Sequence, residues 1–210
     1  FNAGQCCVSG SRLIVQRGVE RALTDKICAL LDKVRIGDPL EPGTQVGSIT
    51  EARHLDRVLG YIAQGHEEGA RLVYGGQRIA SPTGLYLQPT VFADVSAHMV
   101  IAREEIFGPV LTITAFDDFD QAMALANDTP FGLAASIWSR DLETSLQAMR
   151  RIKAGRVWVN TTIAGGPELP SGGFKQSGIG RETGRYGVEE YTELKSVHVQ
   201  MGPRTPWVSA

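Results

Sequence analysis

Two apolar periods alternate along this chain, and that alternation constrains the fold more than any single motif. Residues 110–116, V-L-T-I-T-A-F, alternate and are rich in β-branched side chains, the pattern of a strand. Shorter strand-like runs lie at 11–16, 70–74, 134–138 and 156–159, with an extended stretch at 85–92. Between them, residues 19–34 carry Val19, Leu23, Ile27, Leu30, Leu31 and Val34 on one helical face. A second helix is expected after Thr50, a suitable N-cap, with Leu55, Val58, Leu59 and Ile62 inward. Residues 118–127 and 142–152 read as helices and 182–190 as a short one. Strands alternating with helices favour an α/β fold of layered type with a largely parallel sheet.

Composition narrows the function classes. The chain has 210 residues, enough to bury a full core, and its 42% hydrophobic and 21% charged content is that of an ordinary globular protein. A net charge of -2 lacks the basic stripe that nucleic-acid binding needs. No apolar run approaches the roughly 18 residues of a membrane helix, and no charged-then-apolar leader is visible. The partners expected are therefore neither nucleic acid nor membrane. Three cysteines, with Cys6 and Cys7 adjacent, make no disulfide framework, and a reducing, cytoplasmic setting is the simplest inference. His54, His66, His98 and His198 lack metal-ligand spacing, and no metal is expected. The first residue is Phe1, not Met, which reads as the later part of something longer or a processed product.

Chemistry-bearing residues gather at a few places. Cys6 and Cys7 follow Gly4-Gln5 and precede the strand pattern at 11–16. Glycine lets backbone approach a substrate closely, and a thiol there suits a nucleophile if its thiolate is accessible. The competing reading is a small residue buried in a turn. Cys28 falls inside the first helix and reads as packing. Glu104, Glu105 and Phe107 stand before a Gly-Pro turn that feeds the strand at 110–116; taken alone, this is equally a solvated acidic turn. Residues 160–180 form a long Gly- and Pro-rich loop, a length usual for functional or mobile segments. The glycines of 178–184 are out of register with G-x-G-x-x-G and follow no strand, so they do not read as a phosphate loop.

Several of these segments resemble the signatures of the aldehyde dehydrogenase superfamily. Asn2, Gly4, Gln5, Cys7 and Arg12 match the cysteine signature F-x-N-x-G-Q-x-C and its following Arg, and the spacing from the glycine selects Cys7 over Cys6. E-E-I-F-G-P-V at 104–110 is similar to the family segment whose second Glu bonds the nicotinamide ribose and whose Phe packs beside the nicotinamide, roles that fall on Glu105 and Phe107. Residues 127–133 resemble N-x-x-x-[FY]-G-L, and 170–178 resemble P-F-G-G-[FY]-K-x-S-G with Ser171 in place of the common Phe. His54 and Arg57, three apart on one helix face, stand where members place side chains on the cofactor ribose, although surface polar residues would look the same.

The resemblance spans residues 1 to about 199 in family order. It implies a three-layer α/β/α catalytic domain over 1–190, an oligomerisation strand over 191–200 and a tail over 201–210, with a Rossmann-type cofactor domain absent from this chain. It implies NAD or NADP as cofactor, NAD favoured, and homodimers or homotetramers. The implied chemistry is attack of the Cys7 thiolate on an aldehyde, hydride transfer from a thiohemiacetal to the nicotinamide, and hydrolysis of a thioester to a carboxylate, with the Cys7 N–H helping to hold the oxyanion. Asn160, Thr161, Thr162, Ile163, Glu168 and Ser171 are expected near the substrate, and the loop is most similar to betaine-aldehyde and amino-aldehyde dehydrogenases. A general-base Glu and an oxyanion Asn belong upstream in the family, so the isolated chain is expected to turn over negligibly. The alternative is a non-catalytic oligomerisation module or remnant.

Overall fold

The longest strand sits inside the sheet and has elements packed on both its faces. The structure is a computed structural model that describes residues 1–82 and 84–203. In chain order, a short 3-10 turn (Asn2–Gly4) leads to β1 (Arg12–Gln16), α1 (Arg17–Leu31), α2 (Ala52–Glu67) and β2 (Arg71–Tyr74). Next come β3 (Arg78–Ile79), β4 (Tyr86–Leu87), β5 (Thr90–Ala93), α3 (Val100–Arg103) and β6 (Val110–Phe116). Then follow α4 (Phe119–Asn127), β7 (Phe131–Gly132), β8 (Ala134–Ile137), α5 (Leu142–Arg151), β9 (Arg156–Val159), β10 (Phe174–Lys175) and α6 (Gly184–Glu189).

The main sheet has the order β1-β6-β5-β2, with β6 parallel to both β1 and β5 and with β2 antiparallel at one edge. Because side chains alternate along a strand, neighbouring residues of β5 serve different layers. Phe92 packs with Leu55, Val58 and Ile62 of α2 and Ile101 of α3, whereas Val91 packs with Val15, Ile113 and the Leu23, Ile27 and Leu31 stripe of α1. The result is the expected helix–sheet–helix sandwich. A second parallel pair, β8 with β9, lies by α5, and Met123 of α4, Ala148 of α5 and Ile137 of β8 share a core. Asp118 caps α4 by accepting from the Gln121 N–H, and Asp141 caps α5 through Thr144.

Several expectations change on inspection. The α1 face is narrower than its sequence stripe: Val19 and Leu30 are exposed, and the helix ends at Leu31. Thr50 is not the cap of α2; Glu51 holds that position without a side-chain cap, and the Thr50 N–H is taken by the Gln5 side chain. The strand-like run at 70–74 is an edge strand over 71–74, with exposed and half-buried residues. The 160–180 loop is not free of structure, because β10 pairs with β7 and Ser171 pairs with Glu182. Residues 191–200, expected as an oligomerisation strand that pairs with a second subunit, pair with no strand among the described residues of this chain. Tyr191, Leu194, Val197 and Val199 are exposed, and a strand needs a neighbour to bond with.

Phe92 is 0% exposed at the centre of the larger core. Phe92→Ala is expected to destabilise the fold by about 3–5 kcal/mol in urea unfolding, the cost of lost contacts plus a cavity. A loss under about 1 kcal/mol would contradict this packing.

Candidate active site

The cysteine turn is wound by three successive residues in the left-handed region, Asn2, Ala3 and Gly4, at φ 48, 52 and 73. Asn tolerates this conformation and Gly prefers it; Ala does not, so the surroundings must enforce it. They do so with hydrogen bonds. The Asn2 side-chain amide donates to the Gln5 carbonyl at 2.8 Å, and Ser9 Oγ donates to the Cys6 carbonyl at 2.7 Å and the Gly4 carbonyl at 3.1 Å. Gln5 ties the turn to the start of α2: its Nε2 donates to the Ser48 carbonyl at 3.3 Å, and its Oε1 accepts from the Thr50 N–H at 2.9 Å. Cys6 is left half-buried, and Cys7, the one that the family resemblance selects, is exposed.

The second element is the turn at 104–108. Its Phe107 lies at φ 59, uncommon for a bulky side chain. The exposed side of α2 holds it there. His54 Nε2 donates to the Phe107 carbonyl at 2.7 Å, which places the ring proton on Nε2. Arg57 donates to the Glu105 carbonyl at 3.1 Å and to Tyr61 Oη at 3.2 Å, and the Tyr61 hydroxyl donates to Glu104 Oε2 at 2.7 Å. Ile106 is buried beneath, and the edge of the His54 ring stands against Phe107 with centroids 6.1 Å apart. His54 and Arg57 thus bind the backbone of the turn that carries Glu105 and Phe107. Phe107 remains 37% exposed. Glu105 is exposed as well.

These two turns touch. A Cβ on Gly4 would stand 2.0 Å from the Gly108 carbonyl oxygen, so only glycine allows the cysteine turn to lie against the Gly108-Pro109 backbone. On its other side Gly108 meets Val58 of α2. Cys7, Glu105, Phe107, His54 and Arg57 are therefore gathered on one contiguous set of elements.

The residues expected around the substrate are gathered separately, beyond the end of β9. Asn160, at φ 54, is a clamp: its Oδ1 accepts from the Ser139 N–H at 3.0 Å and its Nδ2 donates to the Ser139 carbonyl at 2.8 Å. Thr161, Thr162 and Ile163 follow it, exposed. Trp158 Nε1 draws the loop back by donating to the Ala164 carbonyl at 2.6 Å. The Glu168 carboxylate lies over Gly166, and half-buried Ser171 exchanges both backbone hydrogen bonds with Glu182. Tyr61, which donates to the Glu104 carboxylate, and Ser139, whose backbone Asn160 holds, carry no sequence signal for this work, because their partners lie 43 and 21 residues away.

The family pattern described as "Aldehyde dehydrogenase family" matches residues 1–197. A betaine aldehyde dehydrogenase of Cereibacter sphaeroides is 45% identical over 203 residues, which are 97% of this chain and 42% of that protein. The crystal structure of an NAD-dependent aldehyde dehydrogenase from Sinorhizobium meliloti is 53% identical with a TM-score of 0.95, covering 99% of this chain and 41% of that one. A Cys-to-Ala variant of indole-3-acetaldehyde dehydrogenase from P. syringae, solved with NAD+ and IAA, is 44% identical with a TM-score of 0.91, covering 94% and 40%. This chain belongs to the aldehyde dehydrogenase family, and it spans about two-fifths of the length of the relatives it matches.

Burial raises the pKa of the Cys28 thiol, with Asp25 and Asp32 adding to the effect, so less of it is thiolate at neutral pH. Iodoacetamide at pH 7 is expected to label Cys7 well before Cys28, read by peptide mass; Cys28 labelling first would contradict the exposure described. His54→Ala is expected to speed amide exchange at 105–108 by about tenfold or more while β6 stays protected. Unchanged exchange would mean that His54 does not hold the turn.

Proposed function

We propose that this chain supplies the nucleophile and the nicotinamide contacts for NAD-dependent oxidation of an aldehyde to a carboxylate. The observation that carries this reading is the contact of Gly4 with Gly108, which sets the Cys7 turn against the turn of Glu105 and Phe107. The residues fit a nicotinamide riboside. Glu105 offers an exposed carboxylate that can accept from two vicinal hydroxyls, and Phe107 offers a half-exposed ring fixed by His54. The nicotinamide, when bound, is the hydride acceptor.

The residues of this chain do the rest as follows. The Cys7 thiolate forms a C–S bond to the aldehyde carbon, and the carbonyl π electrons move to oxygen. The Cys7 backbone N–H holds that oxyanion. Loss of hydride to the bound nicotinamide leaves a thioester on Cys7; water then adds to its carbon, giving one proton to a base outside the present residues, the C–S bond breaks, and carboxylate and thiolate are released with a second proton passing to solvent. The general base, the second oxyanion donor and the dinucleotide-binding domain come, on this reading, from chain outside the present residues. Residues 1–190 then form the cysteine-bearing domain.

The substrate proposed is a betaine-aldehyde or amino-aldehyde type, with Glu168 facing its cationic end. Support comes from the loop pattern and from the 45% identical betaine aldehyde dehydrogenase. The segment 191–200 is proposed to pair with a second subunit, which would cover its exposed Tyr191, Leu194, Val197 and Val199. A cytoplasmic site suits its three free thiols.

The full-length enzyme that contains this chain is expected to form NADH from NAD+ and betaine aldehyde or an amino aldehyde. Cys7→Ala should reduce kcat by roughly 10³-fold or more. Glu105→Gln should raise KM for NAD+ by about tenfold, the loss of a charge-assisted hydrogen bond. An active Cys7→Ala enzyme would end this reading. Glu168→Gln should weaken cationic aldehydes more than neutral ones, and equal losses would remove the substrate assignment.

A further inference from the structure

The C-terminal end of α4 lies at the meeting of two segments that share no sequence neighbourhood. A helix ends with carbonyls that have no partner inside it and with partial negative charge, and α4 has no basic residue in its own last turn. Two cations arrive from elsewhere. Arg12, at the start of β1 and five positions after Cys7, donates to the Leu125 carbonyl at 2.8 Å. Lys175, on β10, donates through Nζ to the Asn127 carbonyl at 2.9 Å and the Thr129 carbonyl at 3.0 Å.

Both cations are held at a cost. Lys175 lies at φ 54, a left-handed conformation that a side-chain-bearing residue keeps only when its surroundings enforce it. Desolvation lowers the pKa of Lys175, with Lys153 and Arg12 adding to the effect and Asp128 opposing it. Desolvation likewise lowers that of Arg12, opposed by Asp128 and reinforced by Arg103. Asp128 itself pairs with Arg103 at 3.3 Å. Both cations place N–H groups on carbonyls at the end of α4, which carries the partial negative charge of a helix C-terminus.

Lys175 also lies in the segment that carries Ser171. Its strand pairs in register with β7, Phe174 with Gly132 and Lys175 with Phe131. Ser177 Oγ accepts from the Gly132 N–H at 3.0 Å. On the near side, the Gly172 backbone lies so close to Gly155 that a Cβ there would stand 1.8 Å from its oxygen.

We propose that Arg12 and Lys175 form a two-cation anchor on the end of α4, and that Lys175 is a positioning residue that fixes the Ser171 loop relative to the strand of Cys7 and so sets the fit of the aldehyde. The proposal rests on the aldehyde-oxidising reading given above.

Lys175→Met in the full-length enzyme tests it. The KM for the aldehyde is expected to rise about tenfold or more, with KM for NAD+ within about twofold of the parent. Amides 171–177 should lose exchange protection while β6 keeps its own. Lys175→Arg, which retains charge and reach, should restore the aldehyde KM to within about threefold. An unchanged aldehyde KM overturns the proposal. So does an equal rise in both KM values, or a Lys175→Met chain that does not fold, since the anchor would then serve the whole fold rather than one subsite. A parent enzyme that oxidises no aldehyde sinks the functional reading instead; the anchor then stands or falls on the exchange of 171–177 alone.

Discussion

The close approach of Gly4 to the Gly108 carbonyl is the constraint on which the site depends. Nothing larger than hydrogen fits between the two backbones. That contact brings a turn from the first residues of the chain against a turn a hundred residues later. It explains why each turn is wound so tightly: Gly4 at φ 73 and Phe107 at φ 59 are the shapes that let the two backbones nest. Substituting alanine at Gly4 would cost about 1–3 kcal/mol from the dihedral alone, before any clash with Gly108.

The surrounding fold supplies the stiffness such a contact needs. β1 carries the cysteine turn and β6 follows the Glu-Phe turn, and the two strands are neighbours from Arg12 beside Thr112 to Gln16 beside Phe116. The ends of the two turns are thus tied to one parallel ladder. Helix α2 braces them from the side through Val58 against Gly108, His54 on Phe107 and Arg57 on Glu105. The arrangement of exposed functional groups on buried, well-bonded backbone is the usual way a site is held in one geometry. Addition of a thiolate to a carbonyl carbon gains most when attacking atom and acceptor are held at fixed distance.

What the sequence revealed and what it hid follow from the range of the interactions. The strand at 110–116 and the helices at 118–127 and 142–152 were legible because their signals are local, β-branched alternation in the one and helical runs in the others; the Asp118 and Asp141 caps that start those helices emerge only in the structure. Thr50 misled because α2 begins one residue later, with Glu51 at the N-cap position, and the bond that ties the Thr50 N–H to Gln5 spans forty-five residues, which no local rule reports. The four-residue α3 is too short for any period to show. The pair His54 and Arg57 was visible as a helix face, but its target, the backbone of 105–107, was not. The sequence did not show that the Asn160 amide bonds the Ser139 backbone, a contact between two parallel-strand ends that only the fold creates. Residues 191–200 alternate as a strand should, yet alternation cannot supply the neighbouring strand.

The central claim is that Cys7 and the nicotinamide contacts at Glu105 and Phe107 face one cleft. The most direct measurement is the iodoacetamide reaction rate of Cys7 in the full-length enzyme, with and without saturating NAD+, with Cys28 as internal reference. Bound NAD+ is predicted to change the Cys7 rate by about threefold or more, to leave Cys28 unchanged, and to lose this effect in Glu105→Gln at the same NAD+ concentration. A Cys7 rate indifferent to NAD+ that is demonstrably bound would contradict the shared cleft.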